Sequence, residues 1–237
     1  MKLSGLIVAI AVATTAASAL PMPYSADLRF EGYSWETDAN GGHPPSGGPG
    51  VAGNLLYGIG NALKVLDDQG TPIYDPADFG MEVTFYLHGL VSQGAIAYGP
   101  SSWRTNYVGG SVDVYGDNSP DYAPATGPTS YSGVTDGDLW LSADVVSFYT
   151  VYNTDTQVGF FGGTFQPTGG DMAPLVSGEL TLIGASTGLP AAMPPAWTYD
   201  HRIKGDVRGE MIPEPGTALL VAVGLMGSAY MGAWRKR

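Results

Sequence analysis

The stretch Met81-Glu82-Val83-Thr84-Phe85-Tyr86-Leu87-His88 decides the fold class of this 237-residue chain. Every second residue from Met81 onward is apolar, and the residues between them are polar or aromatic. A period of two is typical of a β-strand with one buried face. Residues 112–115 alternate in the same way, and residues 180–183 are apolar on both faces, as expected of a central strand.

The rest of the central sequence extends this pattern. Short alternating runs are separated by Gly, Pro, Asn and Asp turns, and no long helical period occurs. Residues 153–155 (Asn-Thr-Asp) predict a hairpin turn. Residues 51–66 fit either a short helix or two strands around Gly58 and Gly60. About eight strands without long helices predict an all-β fold, an antiparallel β-sandwich of jelly-roll-like type, with a small barrel as the alternative.

The N-terminus has the composition of a secretory signal peptide. Lys2 is followed by an apolar run from Leu6 to Ala17, which is too short to span a bilayer. The run ends in Ala17-Ser18-Ala19, the small-x-small pattern of a cleavage site. The sequence therefore predicts that residues 1–19 are removed after Ala19.

The C-terminus combines three features. Pro213, Glu214 and Pro215 precede an uncharged apolar run of 18 residues, 217–234, and the chain ends in Arg235, Lys236 and Arg237. A helix of that length is about 27 Å long, close to the roughly 30 Å of a bilayer core. The basic end favours a cytoplasmic C-terminus. The sequence therefore predicts a transmembrane helix at 217–234.

This tail resembles the PEP-CTERM sorting domain of Gram-negative bacteria. Residues 213–215 match its motif, 217–234 its membrane segment and 235–237 its basic end, whereas Ile212 stands where Val is more common. The resemblance covers about a tenth of the chain and implies export, transient anchoring in the inner membrane, and cleavage by an exosortase. It also implies a place at the cell surface or in the exopolysaccharide of a biofilm matrix. The predicted organisation is 1–19 signal peptide, 20–212 β-sandwich domain and 213–237 sorting signal.

Charge and composition limit the partners of the central domain. The chain has a net charge of −12, and residues 20–212 contain only six Lys and Arg residues, which argues against a nucleic-acid partner. An acidic polysaccharide would be repelled unless divalent cations bridge the two. There is no cysteine, so disulfides and thiolate metal sites are excluded.

Two candidate sites stand out. Asp113, Asp117 and Asp121 lie close together in sequence, with Asp136 and Asp138 further on, and such oxygen-rich loops can bind Ca²⁺. Trp103, flanked by Ser and Arg residues, is the best candidate for an exposed ring that stacks on a sugar. The three histidines share no metal-ligand spacing and are expected to face solvent.

No nucleophile motif, phosphate loop or dinucleotide glycine pattern is present. The sequence therefore predicts an exported, non-enzymatic protein of the cell surface or extracellular matrix. One alternative is a glycan-binding module that uses exposed aromatic side chains. A second alternative is a secreted hydrolase with a carboxylate pair. Its candidate carboxylates are Glu31, Glu36, Glu82 and Glu179.

Overall fold

The computed structural model describes residues 24–38, 41, 50–118, 120–122, 132–188 and 201–212. The chain divides into two units, Ser25–Glu210 and a second unit that comprises Met1–Tyr24 and Met211–Arg237. Of the second unit, only Tyr24, Met211 and Ile212 lie in the described ranges. Within these ranges, no helix is long and apolar enough to cross a membrane. The predicted span 217–234 lies outside them.

The all-β prediction is confirmed. The described residues form ten strands: β1 (Tyr24–Thr37), β2 (Leu55–Leu66), β3 (Pro72–Tyr74), β4 (Glu82–Gly99), β5 (Ser102–Val108), β6 (Ser111–Asp117), β7 (Asp138–Asn153), β8 (Val158–Gly169), β9 (Val176–Gly188) and β10 (His201–Met211). Two one-turn helices, α1 (Pro76–Phe79) and α2 (Ser132–Thr135), and a 3₁₀ turn (Ala173–Leu175) lie between strands. The predicted hairpin turn at 153–155 is confirmed, because Asn153 pairs with Val158 where β7 turns into β8.

The strands close into an eight-stranded antiparallel barrel. The order around the ring is β1, β2, β4, β5, β7, β8, β9 and β10, and β10 returns to β1. The predicted jelly-roll-like sandwich is thereby corrected to the barrel alternative. The reason is that β2 is paired along both sides: Gly60 faces Gly32 of β1 on one side and Phe85 of β4 on the other. No free edge is left there, whereas two stacked sheets would each keep their edges.

β5 and β6 together form one wall strand of this barrel. Both pair with β4 and with β7 in continuous register, since Val91 faces Val108 and His88 faces Ser111. Between them lie Gly109 and Gly110, with φ of 67° and 84°, and the Cβ position of Gly89 (φ 74°) on β4 would lie 3.3 Å from the Gly110 Cα. Residues other than glycine rarely adopt these φ values, so the three glycines allow the barrel wall to bend sharply here.

The barrel interior is filled by apolar side chains from all around the ring. The buried set is Phe30, Leu56, Leu87, Leu90, Tyr107, Ala143, Phe148, Phe161, Phe165, Leu180, Leu182 and Ile203. The largest rings lie over glycines of neighbouring strands: a Cβ on Gly60 would overlap the Phe85 ring, and one on Gly184 would overlap the Phe161 ring. An eight-stranded barrel is just wide enough to be filled by side chains, and these glycines provide the room for the rings.

Ion pairs cover the outer surface where the first strand meets the last. Arg29 Nε lies 3.6 Å from Asp206 Oδ1, and Arg208 Nε lies 3.5 Å from Asp27 Oδ2. Glu31 Oε2 accepts from both Lys204 Nζ (3.0 Å) and Arg202 Nη2 (3.1 Å). Opposite charges on adjacent strands stabilise the pairing of β1 with β10.

A second apolar cluster lies on the outer surface of β1, β2 and β4. Trp35 and Ile59 point outward from β1 and β2, yet they are buried because Val134 of α2 packs on them. Thr84 Oγ1 donates a hydrogen bond to the Val134 carbonyl at 2.7 Å, which fixes α2 on the barrel wall. Part of the connection between β6 and β7 is therefore anchored to the outside of the barrel.

The ring-on-glycine packing predicts unequal effects for two glycines of β2. Gly60→Ala should lower the free energy of unfolding by about 1–3 kcal/mol, because its Cβ would overlap the Phe85 ring and the Glu31 carbonyl. Gly58→Ala is the matched control, since its Cβ would meet Leu87 at an ordinary 3.5 Å. Denaturant unfolding of both variants checks this, and equal destabilisation would contradict the packing argument.

The charged seam between β1 and β10 predicts a dependence on pH. The hydrogen bond from Lys204, with the nearby Arg202, lowers the pKa of Glu31 below its usual 4.5. The seam is therefore stabilising above about pH 4.5 and loses this contribution as the pH falls through the lowered pKa. Because the ion pairs are half exposed, Glu31→Gln should lower the free energy of unfolding by only about 0.5–1 kcal/mol at pH 7.

Urea unfolding at pH 7 and at pH 3 measures this difference. The cost of Glu31→Gln should shrink at the lower pH. Glu179→Gln, at an exposed position of β9, is the control and should have little effect at pH 7. A cost for Glu31→Gln that does not change with pH would argue against the seam.

Candidate functional site

Three aspartates converge beside the point where β6 ends. Carboxylate oxygens of Asp117, Asp121 and Asp136 all lie within 4.8 Å of one another. Asp117 is the last residue of β6, Asp121 lies in the following segment, and Asp136 follows α2. Asp121 and Asp136 are exposed, so the cluster opens to solvent.

A fourth carboxylate holds this cluster in place. Glu82 Oε2, on the neighbouring strand β4, accepts hydrogen bonds from the backbone N–H groups of Asp121 (3.0 Å) and Tyr122 (3.1 Å). Partial burial raises the pKa of Glu82, and the charges of Asp121 and Asp117 raise it further, although the two N–H groups act in the opposite direction. The group thus concentrates negative charge at one place on the surface.

The structure brings together two of the three residues in the calcium prediction. Asp117 and Asp121 meet, and Asp136 joins them, but Asp113 does not. Asp113 Oδ1 instead accepts a hydrogen bond from Ser142 Oγ at 2.6 Å, and its Oδ2 lies 3.0 Å from His88 Nε2. Carboxylate oxygens are the ligands that Ca²⁺ prefers. Calcium binding stays a prediction, now with Asp136 in the place of Asp113.

His88, Asp113 and Ser111 form a group that resembles a catalytic triad in composition. Their geometry differs from a triad, because Ser111 Oγ (3.3 Å) and Asp113 Oδ2 (3.0 Å) both reach the same ring nitrogen, Nε2 of His88. A triad histidine bonds its carboxylate through one nitrogen and its nucleophile through the other. The His88 ring also stacks on Tyr86, at 4.7 Å between centroids. This group therefore fixes side chains on the outer surface of the barrel.

One candidate carboxylate points into the barrel. Glu36 accepts a hydrogen bond from Tyr107 Oη at 2.5 Å and another from Asn54 Nδ2 at 3.1 Å. Burial raises the pKa of the Tyr107 phenol well above its usual range, and the Glu36 carboxylate raises it further. Tyr107 therefore stays protonated and acts as a donor. Glu31 and Glu82 lie on the outer surface, so Glu36 shares no cleft with either of them.

His201 lies where sequence reasoning did not expect it. The prediction of a solvent-facing side chain is wrong, because His201 is half-buried and its Nε2 is inaccessible to solvent. This burial lowers its pKa to about 4, so the imidazole is uncharged at neutral pH. Its ring packs edge-on against Tyr152, at 4.6 Å between centroids. Its buried Nε2 has no hydrogen-bond partner among the described residues. Alternation along β10 places His201 on the same face as the buried Ile203, which is the signal that could have located it.

The exposed aromatic surface also differs from the one chosen from sequence. Trp103 pairs with Tyr152 and lies on the same face of β5 as the buried Thr105 and Tyr107, so it points inward and is only partly accessible. Phe160, on the outer surface of β8, is 44% exposed. It lies at 84° to the ring of Tyr149, with the centroids 6.3 Å apart.

The remaining predicted residues belong to the two ends of the chain. Ala17 and Ala19 of the signal cleavage site lie outside the described residues, and so do Pro213, Glu214, Pro215, Arg235, Lys236 and Arg237 of the sorting motif. Their roles stay predictions.

Comparison with known proteins does not add a family. No family model, no curated protein and no solved structure matches the chain.

The aspartate cluster predicts opposite effects of one substitution without and with calcium. Without divalent cations, Asp136→Asn should raise the melting temperature by about 1–3 °C, because it removes one of several repelling charges. Millimolar Ca²⁺ should raise the melting temperature of the wild-type protein more than that of the variant, because the variant has lost a ligand. Differential scanning calorimetry measures both shifts.

Asp138→Asn is the matched control, since Asp138 is exposed two residues further along the chain and lies outside the cluster. It should respond to Ca²⁺ like the wild type. Equal increases in melting temperature for the wild type and Asp136→Asn, or no increase at all, would contradict calcium binding here.

Proposed function

We propose that this chain is an exported, non-enzymatic protein of the cell surface or extracellular matrix, with a C-terminal sorting signal that an exosortase-like protease removes. The observation that supports this most is where the sheet begins and ends. β1 begins at Tyr24, after the predicted cleavage at Ala19, and β10 ends at Met211, before Pro213. Both cleavages would therefore leave all strands of the described residues intact.

The closure of the barrel agrees with cleavage of the tail after the domain has folded. β10 is the last strand, and it completes the ring by pairing with β1. A chain in which β10 has not docked leaves two open strand edges, which favour aggregation. Placing the sorting signal after β10 means that the barrel can close before the tail is cut.

The arrangement of polar groups supports a non-enzymatic role. The His88 group bonds through a single ring nitrogen, and Glu36 is held by Tyr107 and Asn54 inside the barrel. The four carboxylates considered for a hydrolase are divided between the interior and the outer surface, although a glycosidase pair needs both on one cleft. The hydrolase alternative therefore has less support.

Glycan binding is the second candidate, and one observation favours it. Phe160 and Tyr149 place two aromatic rings next to each other on the outer surface of the barrel, and Phe160 is substantially exposed. Such rings stack on the apolar faces of sugars.

The sorting proposal predicts the mass of the released protein. Mass spectrometry of the exported form should show an N-terminus after Ala19 and a C-terminus near Pro213, without the basic end. Replacing both motif prolines (Pro213→Ala and Pro215→Ala) should keep the uncut chain in the membrane fraction. Pro100→Ala, at an exposed hairpin tip, is the control and should be processed normally. A released protein with an intact C-terminus would refute the proposal.

A further inference from the structure

The outer surface of the barrel contains a groove with a volume of about 560 Å³. It crosses β10 and β9 and is bordered by β1 and β2 on one side and by β8 and β7 on the other. Its outward side chains include Arg29, Tyr149, Phe160, Ile183, Lys204 and Asp206. The volume lies in the range of small-molecule sites and suits a ligand larger than a single sugar.

Small residues shape this groove and its aromatic border. Gly162, which does not itself line the groove, pairs with Tyr149 on one side and with Ile183 on the other. The Tyr149 hydroxyl lies 2.9 Å from where a Cβ on Gly162 would be, so the ring folds down over the glycine. Ala185 pairs with Phe160, and its small side chain leaves the groove deep beside the Phe160 ring.

The floor of the groove is aromatic and apolar. Phe160 is 44% exposed and Ile183 is 48% exposed, so their apolar surfaces are accessible to a ligand. Arg104 lies over the Tyr149 ring, with its guanidinium carbon 4.5 Å from the centroid, and its Nε donates to Asn106 Oδ1. This contact holds Tyr149 in place next to Phe160.

The rim of the groove is polar and its charges are paired. The Arg29 and Asp206 side chains, 3.6 Å apart, are 55% and 34% exposed. Lys204, which is 58% exposed, pairs with Glu31 at 3.0 Å. Each pair leaves donors and acceptors accessible, but neither adds net charge. A ligand with many hydroxyl groups can bond to both members of such a pair, whereas an ion gains little from them.

We propose that this groove binds a neutral oligosaccharide. Aromatic rings suit the apolar faces of sugar rings, and the paired carboxylate, guanidinium and ammonium groups suit their hydroxyls. The net charge of −12 repels acidic polysaccharides, and the local cations are already paired with acidic side chains. An acyl chain would have to cross the charged side chains of Arg29 and Asp206. The inference rests on the glycan-binding candidate, and its failure would leave the sorting proposal intact.

Titration of the purified full-length chain with neutral oligosaccharides tests this. The probes are hexamers of β-1,4-, α-1,4- and β-1,3-linked glucose and of mannose, in EDTA so that no divalent cation bridges ligand and protein. At least one should bind in isothermal titration calorimetry. Phe160→Ala should weaken that binding about tenfold, because it removes the exposed ring. Ala185→Arg, which fills the floor, should abolish it.

Tyr98→Ala is the matched control, because Tyr98 is another exposed aromatic residue (59%) on the outer surface and does not line the groove. It should leave the affinity unchanged, and melting curves check that all three variants fold. The inference is overturned if no hexamer binds, or if Phe160→Ala and Ala185→Arg bind like the wild type. Tighter binding of oligogalacturonate than of every neutral hexamer would also overturn it, in favour of an acidic glycan. Binding of phosphatidylcholine vesicles that Ala185→Arg abolishes would overturn it in favour of a lipid, because vesicle binding through the C-terminal tail would survive that substitution.

Discussion

The rest of this structure depends on one constraint. Aromatic side chains must pack over glycines inside the closed barrel. Eight strands enclose little space, and five phenylalanines must share it: Phe30, Phe85, Phe148, Phe161 and Phe165. The rings of Phe85 and Phe161 lie over Gly60 and Gly184, and Phe30 meets Phe85 edge-on at 5.0 Å. Without these glycines the wall would have to move outward and the pairing that closes the barrel would weaken. The interior is thus a packed core, and accessible binding surfaces lie mainly outside it.

The sequence predicts the strands well because alternation is a local property. Residues 82–88 and 112–115 lie in strands as expected, with Met81 just before β4, and the hairpin turn at 153–155 is formed from adjacent residues. Closure could not be predicted, because it depends on the pairing of β2 with β4 and of β1 with β10, which no local pattern encodes. Residues 51–66 were ambiguous for a related reason: Gly58 and Gly60 interrupt the apolar pattern of β2 at the positions where inward-facing side chains of β4 need space.

The candidate site could be predicted in part, and strand geometry explains the rest. Asp117 ends β6 and Asp121 lies four residues further along the chain, and their carboxylate oxygens come within 4.8 Å of each other. Asp113 and Asp117 lie four residues apart on one extended strand, a distance of about 13 Å, so they cannot bind the same ion. Asp136 comes close only because Val134 anchors α2 on the barrel wall. Alternation along β10 places His201 on the same face as Ile203, but which face of β10 points inward follows from the pairing of β10 with β1 and β9.

The central domain contains few basic residues, and most of them lie between the first and the last strand. Four of the basic residues, Arg29, Arg202, Lys204 and Arg208, are used where β10 docks on β1. Because the chain has a net charge of −12, docking of the last strand would otherwise oppose acidic side chains on β1, namely Asp27 and Glu31, without compensation. Two of these pairs, Arg29 with Asp206 and Lys204 with Glu31, form the polar rim of the outer groove. One set of side chains therefore closes the barrel and gives part of its surface a charge-balanced character, and a substitution that weakens the seam should also alter the groove.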